Sequence, residues 1–272
     1  MSEGQPRRHV STAYVAMLAV AMVVGAGIFK SPALVAEAAG SPAWLFAAWA
    51  IGGFVTLIGA LCYAELATAF PHPGGDYHFL GLAYGRGWSF LFAWARFTVI
   101  NSGSIALLGY VLGDYLNLLL PLGDLGAPLY AATSVVALTA FNLRGAGPDN
   151  DAADYSLTSL EVVGLLAMVA AAFALILQGV PAIDRGALQA PNLPPATFGY
   201  ALVYALLAFG GWSEIATLSA EVRDPRRGMA RALVAAALVI TALYLAVNWA
   251  FWYGLGIEGL AIVRHMVVGM LH

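Results

Sequence analysis

The sequence predicts an all-α polytopic membrane protein of about seven transmembrane helices, and three observations lead there: composition, the length of the apolar runs, and the punctuation between them. Of 272 residues, 61% are hydrophobic and only 10% charged, against roughly 25% charged in an average soluble domain. The mean hydropathy is +0.81, more apolar surface than a soluble fold of this size hides. A bilayer core of about 30 Å needs about 20 mostly apolar residues per helix. Unsatisfied backbone polar groups leave only helices or closed barrels in lipid, and these runs are too long and uniformly apolar for barrel strands.

Taken in order, helices are expected near Ser11–Ala39, Ala43–Phe70, Trp88–Leu120, Pro128–Asn142, Ser156–Gln178, Gly199–Ala220 and Met229–Gly254. The first, behind Arg7 and Arg8, superficially looks like a secretory signal, but six more apolar segments follow it, so it is read as a membrane helix. Pro71, Pro73, Gly74 and Gly75 close the second segment, Pro121 and Gly123 the third, and Pro191, Pro194 and Pro195 precede the sixth. The expected organisation is a cytoplasmic N-terminus over residues 1–10, a transmembrane domain over 11–258 and an atypical tail over 259–272.

Charge sets the orientation. One side collects Arg7, Arg8, Arg86, Arg144, Arg223, Arg226, Arg227 and Arg231, the other Lys30, Arg185 and Arg264. The Lys and Arg excess marks the cytoplasmic side, so the N-terminus is expected inside. With 12 basic and 15 acidic residues the net charge is −3, which gives nucleic acid nothing to bind. Cys62 is the single cysteine, so no intramolecular disulfide and no cysteine metal cluster can form.

Two segments interrupt their own helices. Gly25, Ala26 and Gly27 lie mid-way along the first, followed by Lys30, Ser31 and Pro32. Paired glycines weaken a helix and proline removes an amide donor, so a break over Gly25–Phe29 is expected. Unwound backbone is tolerated in a bilayer where protein or a water-filled cavity surrounds it, and the following half-helix would offer free N–H groups to a carboxylate. Close helix packing through small residues explains the same glycines equally well. The sixth helix repeats the pattern with Gly210 and Gly211 between Phe209 and Trp212. Gly-interrupted segments in corresponding positions of two halves point to a transporter site built from discontinuous helices. Phe209 and Trp212 would share a face covering a ligand, or simply pack as aromatic side chains.

Several blocks in this order resemble the amino acid, polyamine and organocation (APC) transporter superfamily: Gly25-Ala26-Gly27-Ile28-Phe29 with Ser31-Pro32; Ala64-Glu65-Leu66 into Phe70-Pro71 and Gly74-Gly75-Asp76-Tyr77; and Phe209-Gly210-Gly211-Trp212 leading to Glu221-Val222-Arg223-Asp224-Pro225-Arg226-Arg227. The resemblance covers roughly residues 10 to 258 and is closest to bacterial members related to the L-type amino-acid transporters. It implies an incomplete LeuT-like fold, the first five-helix repeat plus two helices of the inverted second repeat. It also implies a secondary active permease in the bacterial inner (plasma) membrane, moving a neutral amino acid by alternating access, with a proton or a counter-transported amino acid as the coupled species and no cofactor. Carried over by position, backbone N–H groups around Gly25, Ala26, Gly27 and Ile28 would hold the substrate carboxylate, and carbonyls near Val23, Val24 and Phe209 its ammonium. Phe209, Gly210, Gly211 and Trp212 would line and gate the pocket. Members of the superfamily usually have about twelve helices, with paired repeats, so this chain reads as C-terminally truncated, and a binding subunit or inactive transporter fragment is the alternative to a transporter. The acidic loop Gly147–Asp154 and the tail Ala261–His272 depart from the superfamily pattern.

Ionisable groups at membrane depth are functional candidates by default. Glu161, about five residues into the fifth helix, is either a proton- or ion-coupling carboxylate or an interfacial one without that role. Arg96 is read as structural, Lys30 as vestibular, and Glu214 as either selecting a cationic substrate or satisfying backbone donors. His72, His78 and His265 lack ligand spacing, so no metal is expected. A membrane enzyme is the third reading, but H-E-x-x-H, G-x-S-x-G and a pair of mid-membrane aspartates are all missing from the sequence.

Overall fold

The computed structural model describes residues 11–25, 27–143, 151–179, 195–220, 222 and 228–269. The helices are α1 (Thr12–Val23), α2 (Gly27–Ala39), α3 (Pro42–Ala69), α4 (Gly75–Tyr84), α5 (Arg86–Ala95), α6 (Ser102–Leu119), α7 (Gly126–Leu143), α8 (Asp151–Leu177), α9 (Pro195–Ala208) and α10 (Ala230–Gly269). A π-helical stretch, Arg96–Asn101, joins α5 to α6, and a 3₁₀ segment, Trp212–Ala220, follows α9. Five spans are long and apolar enough to cross a membrane, α1 with α2 makes a bent sixth, and Val162–Leu177 is a shorter apolar helix. These match the seven predicted segments, and the protein is an all-α polytopic membrane protein.

Two elements differ from the expectation. Residues 75–84, read as connection, form α4, which carries Asp76 in its first turn and ends before Gly85 at φ 88°; acidic side chains favour that helix end. The last helix breaks within two residues of its expected end at Gly254, with non-helical backbone at Gly256 (φ 70°, ψ 176°), but a further helical stretch, unforeseen in the tail, runs on to Gly269. Only glycine adopts that conformation cheaply.

The described chain forms two compact units. The first comprises residues 1–79 and 160–265. In it α2 and α3 both pack on α9, and α1 packs on the 3₁₀ segment. Its core joins Val15 and Ala19 of α1, Val35 of α2, Leu45 and Trp49 of α3, Ala201 and Ala205 of α9, and Leu233, Ile240 and Tyr244 of α10. Helix starts are set by local chemistry: Ser11 Oγ accepts from Tyr14 N–H at 3.3 Å, and Ser41 Oγ from Trp44 N–H at 3.5 Å with Pro42 at the first helical position.

The second unit comprises residues 80–159 and 266–272. Gly109 and Gly113 of α6 face Ala131 and Ala127 of α7, and a Cβ on Gly113 would run into the Ala127 carbonyl. This is the small-residue spacing that lets membrane helices approach. Asn117 closes the hairpin: its Oδ1 accepts from Leu122 N–H at 3.0 Å and its Nδ2 donates to the Gly123 carbonyl at 3.4 Å. Leu80, Tyr84, Trp88, Leu91, Phe92 and Ala95 line an open apolar hollow of about 410 Å³; no predicted site residue is among them.

Candidate functional site

The first interruption is shorter than the predicted Gly25–Phe29, since Gly27, Ile28 and Phe29 already wind as the first turn of α2. α1 ends at Val23, α2 begins at Gly27, and the two halves are bent by 55°. Val24 leaves the helix at φ −74°, ψ 110°, while its N–H still donates to the Val20 carbonyl at 2.8 Å. On the far side Ile28 N–H turns back to the Gly25 carbonyl at 3.2 Å. Pro32 sits inside α2, so the Ile28 carbonyl four residues earlier lacks its helical donor. Ala26 lies outside the described residues.

The second interruption is tighter. α9 ends at Ala208, and Gly210 N–H donates to the Leu207 carbonyl at 3.2 Å. Gly211 then takes φ +108°, and the chain resumes as the 3₁₀ segment, with Glu214 N–H donating to the Gly211 carbonyl at 3.1 Å. A Cβ on Gly211 would collide with the Met22 carbonyl, and one on Gly27 would stand 3.8 Å from Ala208 Cα. The two interruptions therefore meet backbone to backbone. Val23, Val24, Ile28 and Phe209 are buried beneath them, whereas Gly25, Gly27, Gly210 and Gly211 keep accessible surface.

The aromatic pair separates. Phe209 turns into the core against Trp49 (5.9 Å between centroids) and Tyr244 (5.1 Å). Its ring lies over Gly52, where a Cβ would be 3.1 Å from Cε2. Trp212 instead lies over Gly59 and meets Tyr63 edge-on at 5.2 Å. Both thus rest on α3, on glycines two turns apart.

Tyr244, which the sequence reading passed over, bridges the two ends. Its hydroxyl, fully buried, lies 2.9 Å from the Val23 carbonyl and 3.2 Å from the Ala208 carbonyl, donating its one proton between them. One turn on, Asn248 Nδ2 donates to the Tyr244 carbonyl at 2.8 Å, while its buried Oδ1 has no partner. Trp49 Nε1 and Ser31 Oγ are likewise buried and unpaired. Orphaned buried polar atoms are costly and uncommon in folded proteins, and these three belong to the helices around the interruptions. A sequence signal existed: Tyr244 and Asn248 are polar groups four apart in a predominantly apolar helix.

Glu161 belongs to α8, in a stretch whose side chains lie outside the described residues. Arg96 Cζ stands over the Phe92 ring at 5.8 Å, and Lys30 is exposed. Glu214 is half-buried, and its carbonyl accepts from Thr217 Oγ1 at 2.7 Å. Among the described residues, no three His, Cys, Asp or Glu side chains gather as a metal site requires. His265, Glu221, Arg223, Arg226 and Arg227 fall outside the residues whose side chains are described.

Comparison with known proteins places these features in a family. The chain is similar to the serine/threonine exchanger SteT of Bacillus subtilis, 27% identical over 246 residues, covering 90% of this chain and 54% of the relative. It is similar to the human large neutral amino acids transporter small subunit 2, 28% identical, covering 85% of this chain and 44% of the relative. It is also similar to the human b(0,+)-type amino acid transporter 1, 25% identical, with 86% and 48% covered. The chain spans about half the length of the curated relatives it matches. With residues 10–271 matching the family described as amino acid permease, two interrupted helices joined backbone to backbone, and spans fit for a bilayer, the chain belongs to the amino acid permease family.

Proposed function

We propose that this chain carries the substrate-binding part of a secondary active amino-acid transporter, holding a neutral amino acid between the interrupted helices by its backbone ends. The observation that carries this is the meeting of the two interruptions, with Gly211 pressed on the Met22 carbonyl. Two helix ends of opposite sense lie together there. The C-terminal ends of α1 and α9 present carbonyls at Val23 and Ala208, and the N-terminal end of α2 presents its N–H at Gly27, that of Ile28 being taken by the Gly25 carbonyl. Helix C-termini favour an ammonium and N-termini a carboxylate. A zwitterion is therefore bound without burying an opposite full charge, whose desolvation is costly. Tyr244 fixes the carbonyls; each keeps a second lone pair for an ammonium proton.

Glu161 supplies proton coupling in this reading, and alternating access moves the interrupted halves around the site. The N-terminus lies in the cytoplasm and the membrane is a bacterial inner membrane. The similarity to a serine/threonine exchanger and to large neutral amino-acid transporters supports a small or neutral substrate. The relatives and the family are transporters rather than enzymes.

A thermal-shift screen of purified protein against all amino acids tests the site, because a ligand that binds only the folded state raises its apparent stability, by about 2.7 kcal/mol at about 100-fold excess over Kd. Stabilisation by one class of neutral amino acids is expected; no response to any removes the proposal. Uptake of labelled ligand into proteoliposomes then separates transport from binding: retention without accumulation marks a binding subunit. Glu161→Gln should abolish the proton dependence of uptake, and full retention of that dependence would exclude coupling through this carboxylate.

A further inference from the structure

Outside the interruptions, one cluster of titratable groups has geometry of its own. Pro71–Gly74 and the start of α4 form a loop lying on the 3₁₀ segment. His72 N–H donates to Ser219 Oγ at 3.3 Å, and Ser219 is fully buried. Gly75, at φ +45°, lies against Thr217 with no room for a Cβ. The His72 and His78 rings stack face to face, 4.0 Å between centroids at 8°. A second connection runs from His78 to Phe79 (6.3 Å), to Tyr63 (6.4 Å) and to Trp212 (5.2 Å). The pair thus reaches both ends of the segment that follows the second interruption.

Gly74 N–H donates to His72 Nδ1 at 2.9 Å, an acceptor role that Nδ1 fills only without a proton of its own. We propose that the His72–His78 pair is a pH-operated latch, holding residues 71–79 on the segment 212–220 while both rings are neutral and releasing them when the rings take up protons. A proton on His72 Nδ1 abolishes the acceptor and turns a donor toward the Gly74 N–H. Protons on both rings place two like charges face to face at stacking distance, where they repel.

The ionisable groups on the surrounding elements are Asp76 and Tyr77 on α4, Glu214 on the 3₁₀ segment, and Tyr63 and Glu65 on α3. None of them sets the affinity of His78 for protons. That affinity is lowered from the ordinary 6.5 first by burial and then by His72. A lowered value means that the docked form binds fewer protons than the released one. Docking is accordingly at full strength above about 6.5 and weakens as the pH falls below it.

Hydrogen–deuterium exchange of the full chain in lipid nanodiscs, corrected for intrinsic rates at about pH 7.5 and about pH 5.5, tests the latch. Protection of peptides covering 71–79 and 212–220 should fall about tenfold at the lower pH, the scale of one lost net hydrogen bond. The H72N/H78F variant keeps an acceptor near the Nδ1 position and a flat ring without a titrating proton, so its protection should hold at both values. Unchanged protection of the wild-type chain, or an equal fall in H72N/H78F, overturns the proposal. Should the double variant fail to melt cooperatively, NMR of ¹³C-labelled histidine in the wild-type chain decides: among the five histidines, a His78 signal titrating below the ordinary value supports the latch, and its absence removes it.

Discussion

The two interrupted helices solve the same geometric problem with different backbone chemistry. The first resumes as a regular α-helix, α2, bent 55° from α1; the second resumes as the 3₁₀ segment Trp212–Ala220 after a glycine at φ +108°. An α-helical restart aligns its first N–H groups in one direction, which suits an anion even with the Ile28 N–H turned to the Gly25 carbonyl. A 3₁₀ restart has tighter turns and poorer hydrogen-bond geometry. It is the segment with less to hold it straight, and it carries Trp212 and Glu214 and contacts the loop at His72. The first interruption thus resembles a fixed receptor, and the second an element held in place by its neighbours.

Substitution of the glycines separates these roles most sharply. Gly211→Ala places a side chain at a positive φ and against the Met22 carbonyl, which is backbone and cannot yield. The strain and overpacking should destabilise the fold by about 3 kcal/mol or more and abolish ligand-induced stabilisation. Thermal melts with and without amino acid read both; a variant that melts and binds like the wild type would mean that the interruptions do not touch.

Tyr244→Phe comes next, since it removes the one hydroxyl shared by both helix ends while keeping the ring against Trp49 and Phe209. Losing a buried donor to two carbonyls should cost about 1–3 kcal/mol of stability. Ligand affinity should fall as well, because the carbonyls lose their fixed orientation. If stability falls and affinity does not, the hydroxyl is a structural clamp only.

How much of this could be read beforehand follows from the kind of signal involved. The interruptions were legible because glycine pairs and Pro32 act through local backbone rules, and the apolar runs announced the spans. Their meeting was not: that Gly211 abuts Met22, 189 positions earlier by numbering, is a tertiary fact. Tyr244 was passed over for a related reason, since its hydroxyl matters through carbonyls contributed by α1 and α9. The π-helical stretch Arg96–Asn101 has no glycine or proline to betray it. α4 was hidden by the Pro and Gly residues just before it, which dominate a local reading. Gly52 and Gly59, seven residues apart on α3, seat Phe209 and Trp212, and a glycine in an apolar run carries no local sign of the ring it will meet.

Trp212→Leu acts on the second interruption alone. The edge-on contact with Tyr63 and the fit over Gly59 are lost, but an apolar side chain remains, so the expected cost is about 1 kcal/mol. Its effect should be larger on exchange protection of residues 212–220 than on the melting temperature. Equal loss of protection around Gly25 would show that the two interruptions move as one body and would erase the distinction drawn between them.

Gly25→Ala is the mildest change and the sharpest test of the first interruption. No atom lies within 4 Å of where its Cβ would stand, and its φ is not in the left-handed range. Alanine favours helix over glycine by about 1 kcal/mol and restricts the unfolded chain, so stability should change by a few tenths of a kcal/mol at most, or rise. The same preference pushes α1 to wind on toward Ala26, which withdraws the open backbone a carboxylate would need. Affinity for the amino acid should therefore drop several-fold while the melting temperature of the ligand-free protein stays put. An unchanged affinity in a variant that folds normally would mean the glycine serves helix packing, and that the anion-binding end of the site is not at this interruption.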